Sequence, residues 1–108
     1  MLKVVNNTIH LTRGDTATLR LEIKNQDGTP YDIQEADQVL FTIKKNTQTT
    51  DVVIQKAAIN NRITIAAKET ESLDYGTYYY DVELRRPDGL VATVIPPHVL
   101  RLMEEVTF

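Results

Sequence analysis

Apolar and polar residues alternate along much of this chain, and the alternation is clearest over residues 16–24. The apolar positions there are Ala17, Leu19, Leu21 and Ile23, and the polar positions are Thr18, Arg20, Glu22 and Lys24. Successive side chains of a β-strand point to opposite faces of a sheet. The pattern therefore predicts a strand with one buried face and one solvated face.

Further strands are predicted at 38–45, 52–56, 62–66, 77–86, 90–95 and 99–103. Turn signals separate them, because Asp27-Gly28, Asn60-Asn61 and Pro87-Asp88-Gly89 contain residues that accept a positive φ at low cost. Pro96-Pro97 is expected to end regular pairing, since proline has no N–H to donate. Residues 66–73 suit one helical turn, which is too short to be an independent helix.

About seven short strands separated by turns indicate an all-β sandwich or barrel. Parallel sheets would need crossover helices, for which the sequence has no candidate. Residues 1–108 are expected to form a single domain without internal repeats or linkers. The predicted interior is shared by Leu19, Leu21, Ile23, Phe41, Ile63, Tyr80 and Val82.

The segment 73–80 narrows the fold to an immunoglobulin-like antiparallel β-sandwich. In such sandwiches a tyrosine near the start of strand F donates a hydrogen bond to backbone a few residues upstream, which is called a tyrosine corner. Tyr78 follows Gly76 by two positions, and Tyr80 stands where antibody domains have their second core cysteine. Leu73, Gly76, Tyr78 and Tyr80 are therefore assigned structural roles. The alternative is that Tyr78 and Tyr80 are only large core residues of a good strand.

Composition excludes several kinds of chemistry. Among 108 residues there is no cysteine, which rules out disulfides, thiolate metal sites and a cysteine nucleophile. A net charge of −3 with only short basic pairs argues against nucleic acid as a partner. No apolar run approaches the roughly 20 residues that span a membrane, so no membrane association is expected.

Candidate catalytic groups are few. His10 and His98 belong to no catalytic or zinc-binding motif, and the acidic loop residues Asp27, Asp32, Glu35 and Asp37 do not have the spacing of a calcium loop. We therefore predict a protein that is not an enzyme and has no catalytic residue, metal, cofactor or small-molecule substrate.

Tyr79 is the candidate contact residue. It should project from the face opposite to Tyr78 and Tyr80, where an exposed aromatic ring can anchor a protein partner. Tyr31, Tyr75 and Phe108 are further candidates for exposed aromatic surface. Tyrosine is also a common strand residue, so Tyr79 has an ordinary structural interpretation as well.

Four stretches, 9–16, 27–33, 39–45 and 76–82, resemble the N-terminal domain of upper baseplate proteins from tailed phages and prophages of Gram-positive bacteria. The resemblance covers nearly the whole chain, although many immunoglobulin-like domains share its turn and strand motifs. It implies a non-catalytic structural or binding module of a phage tail or baseplate, made in the bacterial cytoplasm and incorporated into the virion. Other tail or baseplate proteins are the implied partners, with self-association as a further candidate. A bacterial cell-surface or carbohydrate-binding β-sandwich is the alternative.

Overall fold

The computed structural model of this chain describes residues 2–5, 7–25 and 27–104. Its strands are β1 (Leu2–Val5), β2 (Thr8–Thr12), β3 (Ala17–Arg20), β4 (Gln38–Lys44), β5 (Val52–Ala57), β6 (Arg62–Ile65), β7 (Gly76–Arg85) and β8 (Val91–Met103), and its helix is α1 (Ala67–Thr70). The predicted all-β class is confirmed. The structure adds β1 and β2 before the first predicted strand, and it joins the predicted strands 90–95 and 99–103 into β8.

The strands form two sheets. The large sheet has the order β1-β2-β8-β7-β4-β5, and the small sheet consists of β3 and β6. The run β8-β7-β4-β5 is the G-F-C-C′ order of an immunoglobulin-like sandwich, and β3 with β6 matches its B and E strands. One pair departs from the predicted antiparallel arrangement, because β2 runs parallel to β8.

Residues from both sheets form one hydrophobic core between them. All seven predicted interior residues are buried, and Phe41, Ile63 and Val82 are at most 1% exposed. The rings of Phe41 and Tyr80 lie 5.4 Å apart at the centre of the large sheet's inner face. The Tyr80 hydroxyl donates a hydrogen bond to the carbonyl oxygen of Asn7. This core tyrosine therefore also connects β7 to the turn between β1 and β2.

The alternation at 16–24 predicts burial better than it predicts pairing. Side chains remain alternately buried and exposed as far as Lys24, but β3 pairs with β6 only over Ala17–Arg20. Beyond Arg20 the backbone finds other partners: Leu21 N–H donates to Asn61 O at 2.7 Å, and Tyr31 N–H donates to Ile23 O at 2.8 Å. The apolar face keeps the segment packed after its ladder with β6 has ended.

Pro96-Pro97 does not end the strand, contrary to the prediction. Strand β8 continues through both prolines, and its register against β7 shifts between the pairs Tyr80–His98 and Val82–Ile95. The shift is a β-bulge, which places the two residues without an N–H where the ladder is already interrupted.

The predicted turn residues adopt the backbone conformations that their chemistry favours. Asn60 and Asn61 have φ values of 53° and 62° and close a two-residue turn between Ile59 and Arg62, while Gly89 has a φ of 95° at the tip between β7 and β8. The helical turn is confirmed at α1, where the Glu69 side chain accepts a hydrogen bond of 2.8 Å from Ala66 N–H.

The tyrosine corner is present. Tyr78 is 4% exposed, and its hydroxyl donates to the carbonyl oxygen of Asp74 at 2.8 Å. Gly76 begins β7 with a φ of 134°, a conformation that side chains strongly disfavour. Leu73 packs against the edge of the core. The corner therefore fixes where β7 begins and which of its side chains face outward.

Candidate binding surface on the large sheet

Tyr79 lies on the outer face of the large sheet, opposite in direction to the buried Tyr78 and Tyr80. Its strand neighbours in register are Lys44 on β4 and Val99 on β8. Its side chain is half-buried. The period-two prediction for this residue's direction is thus matched by the pattern of burial along β7.

Six outward-facing residues of β4, β7 and β8 form a continuous surface around this ring, which we call the Tyr79 surface. All are half-buried. Asp81 lies opposite Thr42, and Leu40 lies opposite Glu83 at the margin of the surface. The members of the Tyr79 surface are Leu40, Thr42, Lys44, Tyr79, Asp81 and Val99. The surface thus combines apolar area, an aromatic ring and one charge of each sign.

The bulge at Pro96-Pro97 shapes this surface. Asp81 has no register partner on β8, because the ladder passes from Tyr80–His98 directly to Val82–Ile95. Beside this interruption is a hollow of about 60 Å³, lined among others by Tyr79, Asp81 and Pro97. Two successive prolines in the sequence thus coincide with a small depression in the sheet face.

Asp81 is the ionisable group of the Tyr79 surface whose pKa is shifted. Partial burial raises the pKa of its carboxyl group above the ordinary value, the neighbouring Glu83 raises it further, and Lys44 lowers it. Among the described residues, no side chain forms an ion pair with Asp81. A partly desolvated carboxylate without a cation at contact distance favours any partner that supplies a hydrogen-bond donor or a positive charge.

A second concave region lies at one end of the sandwich, between the loop before β4 and the turn after β5. It is a groove of about 550 Å³ lined by Tyr31, Asp32, Glu35, Asp37 and Asn60, among others. Asp37 accepts hydrogen bonds from Gln34 N–H at 3.0 Å and from the Tyr31 hydroxyl at 2.8 Å. These bonds hold the pKa of Asp37 below its ordinary value. Its carboxylate therefore stabilises the loop itself.

Asp32, Glu35 and Asp37 line one groove, but they and the histidines do not form a metal site within the described residues. The part of the chain that the structure describes contains no group of three or more His, Asp or Glu side chains placed to hold a metal ion. Asp27 folds back onto its own turn, accepting bonds from the backbone and hydroxyl of Thr29. The ring of His98 lies 6.1 Å from that of Tyr80. Phe108, named above as an aromatic candidate, lies outside the described residues.

The sequence did not predict the contacts of the Arg13 side chain. Its guanidinium donates to the carbonyl oxygen of Leu73 at 3.1 Å and to the Tyr75 hydroxyl at 2.7 Å. The next residue, Gly14, has a φ of 84° and donates its N–H to the hydroxyl of the buried Thr70 at 2.9 Å. The only local signal was a turn glycine after an arginine, which does not reveal partners some 60 positions away.

No helix within the described ranges is long and apolar enough to cross a membrane. No protein-family model matches this chain, and no curated protein matches it in sequence at a significant level.

Proposed function

We propose that this domain is a non-catalytic structural module of a phage or prophage tail or baseplate, and that it docks onto a neighbouring tail protein through the Tyr79 surface. On this proposal the protein is made in the bacterial cytoplasm and is incorporated into the virion. The resemblance of four stretches of the sequence to upper baseplate domains supports the assembly. The Tyr79 surface supports the mode of docking.

The observation that carries the docking proposal is the partly buried Asp81 beside Tyr79, which forms no ion pair with any described residue. Protein interfaces favour tyrosine anchors, since a large rigid ring contributes contact area at low entropic cost. Leu40 and Val99 add apolar area on the same face. A partner that places an Arg or Lys side chain, or a backbone N–H, against Asp81 would satisfy its carboxylate and would exclude water from the hollow.

The shape of the surface suits a protein better than a small molecule. Small-molecule sites are concave and generally have volumes of about 300–1,000 Å³. The hollow beside Tyr79 is about 60 Å³, and the rest of the surface is the face of a sheet. Such a face matches a second folded surface of similar extent.

The test is co-expression of this domain with the tail and baseplate proteins encoded beside its gene, followed by titration of each captured pair. Tyr79→Ala is expected to weaken the complex about tenfold or more, and Asp81→Ala should weaken it as well. Tyr31→Ala, which removes a tyrosine at the far end of the sandwich, is the matched control and should leave the affinity unchanged.

Two results would count against the proposal. One is the failure of every neighbouring tail protein to bind the wild-type domain. The other is equal weakening by Tyr79→Ala and Tyr31→Ala. Binding to bacterial cell-wall polysaccharide that disappears in Tyr31→Ala alone would instead favour the cell-surface or carbohydrate-binding alternative, with the loop groove as the site.

A further inference from the structure

The two strands of the small sheet differ in whether the backbone groups at their outer edges already have hydrogen-bond partners. At the start of β6, the N–H and C=O of Arg62 bond to Ile59. At its other end, Ala66 N–H donates to the Glu69 side chain, and Ala66 O accepts from Glu69 N–H. These contacts leave little of the β6 edge open to another strand.

The outer edge of β3 has no paired strand in the part of the chain that the structure describes. In an antiparallel pair, alternate residues direct their backbone groups towards the partner strand and away from it. Leu21 N–H bonds to Asn61 and Ile23 O bonds to Tyr31, so the odd-numbered residues face β6 and its continuation. The even-numbered residues Thr18, Arg20, Glu22 and Lys24 therefore direct their N–H and C=O groups to the opposite edge. Within the described residues, β6 is the only strand that pairs with β3.

The exposed side chains along this edge of one copy are complementary in charge to those of a second, antiparallel copy. If two copies of the segment run antiparallel about a two-fold axis at Leu21, Arg20 lies opposite Glu22 of the second copy, and Glu22 lies opposite its Arg20. Thr18 then lies opposite Lys24. All of these are residues whose backbone groups face outward, so the same register aligns the hydrogen bonds and the opposite charges.

The two adjacent registers in which even-numbered residues also face each other do not pair Arg20 with Glu22. An axis at Arg20 places the two Arg20 side chains opposite each other. An axis at Glu22 pairs the two Glu22 side chains and sets Arg20 against Lys24. Like charges directly opposite each other destabilise a strand pair, so the charges select the register centred on Leu21.

The same register relieves a repulsion within the monomer. Arg20 lies directly opposite Arg62 in the β3–β6 ladder. Both side chains are exposed, and neither forms an ion pair with a carboxylate of the described residues. In the paired arrangement, Glu22 of the second copy flanks Arg20 on its open side. On the inner face, Leu19 meets Ile23 of the second copy and Leu21 meets its own equivalent, so the apolar row continues across the junction.

We propose that two copies of this domain associate through the open edge of β3, forming a continuous four-stranded sheet in the order β6-β3-β3-β6 with Arg20 opposite Glu22 in both directions. This inference does not depend on the assembly to which the domain belongs. An interface limited to one pair of strand edges belongs to the small class of protein interfaces, so we expect a dimer that dissociates on dilution.

The proposal is tested by sedimentation velocity or light scattering over a concentration series at low ionic strength. The wild-type mass should rise from 12.3 kDa towards twice that value. Arg20→Glu and Glu22→Arg each create two like-charge contacts, and each should weaken the dimer about tenfold or more. The double variant Arg20→Glu/Glu22→Arg restores opposite charges in the same register and should restore dimerisation.

Glu71→Arg makes the same charge change as Glu22→Arg at an exposed position away from β3 and serves as its control. Thermal melting of each variant verifies that it is folded. A wild-type domain that stays monomeric throughout the series would overturn the proposal, and so would a dimer that both single reversals leave intact. Loss of the dimer in both single variants without recovery in the double variant would overturn the Leu21-centred register and the proposal with it.

Discussion

The guanidinium carbon of Arg13 lies 4.0 Å from the centre of the Tyr75 ring, and the same guanidinium donates to the Tyr75 hydroxyl and to Leu73 O. These contacts join the turn before β3 to the corner before β7. Arginine suits the position because its planar fork donates several bonds while its face stacks on a ring. The corner is consequently held by two side chains, Tyr78 from its own strand and Arg13 from the turn after β2.

We expect Arg13→Lys to lower the free energy of unfolding by about 1–2 kcal/mol, because a lysine keeps the charge but cannot bond Leu73 and Tyr75 together. Urea denaturation measures the change. Arg86→Lys is the matched control, since Arg86 forms an exposed ion pair with Asp88, and it should cost no more than about 0.5 kcal/mol. Equal losses in the two variants would contradict a special role for Arg13.

Removing the hydroxyl of Tyr78 tests the tyrosine corner. Tyr78→Phe leaves the carbonyl oxygen of Asp74 without its donor and should cost roughly 1–3 kcal/mol. The ammonium of Lys45, which lies 4.5 Å from the centre of the Tyr78 ring, keeps its contact in the variant. Tyr79→Phe on the adjacent outward position should change stability by less than about 0.5 kcal/mol. If both variants unfold at the same urea concentration as the wild type, the corner contributes nothing.

Among the residues that the structure describes, Thr70 is a polar residue with a fully buried position, and its side chain is 2% exposed. Its hydroxyl accepts from Gly14 N–H, so Thr70→Val should strand that N–H and cost roughly 1–3 kcal/mol. Hydrogen exchange of the Gly14 amide gives a local readout. Exchange should accelerate in Thr70→Val and remain slow in Thr70→Ser, which keeps the hydroxyl. Unchanged Gly14 exchange in Thr70→Val would show that the bond does not protect this turn.

Asp81 and Asp37 should affect stability with opposite dependence on pH. Burial, followed by the charge of Glu83, raises the folded-state pKa of Asp81 above 3.8. Its protonated form therefore favours the folded state at low pH, and this contribution is lost as the pH rises through the folded pKa. Asp81→Asn should consequently melt at a higher temperature than the wild type at neutral pH, with no gain well below pH 3.8.

The reverse holds for Asp37, whose pKa the Gln34 N–H and the Tyr31 hydroxyl lower below 3.8. Its contribution is present above that value and is lost as the pH falls through the folded pKa. Asp37→Asn should melt at a lower temperature than the wild type at neutral pH, and the two should converge in acid. Melting curves between about pH 2.5 and pH 7.5 measure both effects. If both variants melt below the wild type by an amount that does not change with pH, the assigned directions of the two pKa shifts are contradicted.

The alternation of side chains was enough to predict the seven core residues named from the sequence, although the buried Ile9 and Leu11 of β2 were not among them. It worked at β7 and along 16–24 because the direction of a strand side chain depends only on its position parity, and burial of apolar area follows from direction. The tyrosine corner was predictable for a similar reason. Its donor and acceptor, Tyr78 and Asp74, are only four positions apart, so a local motif carries the whole interaction.

The position of Pro96-Pro97 shows where such reasoning fails. Proline's missing N–H predicts an interruption, but whether the strand stops or bulges depends on the strand beside it. Here β7 continues past the prolines and pairs with β8 on both sides of them. The resulting hollow beside Tyr79 could not be derived from either strand alone.

The sequence by itself determined the faces, the turns and the corner, because each depends on backbone chemistry within a few residues. Only the tertiary structure decided that β2 runs parallel to β8, that Arg13 reaches Leu73, that Asp81 lies partly buried beside Tyr79, and that the outer edge of β3 has no paired strand among the described residues. Most of those relationships join residues far apart in the chain. They arise from how strands pair within each sheet and how the two sheets pack together, which no local pattern encodes.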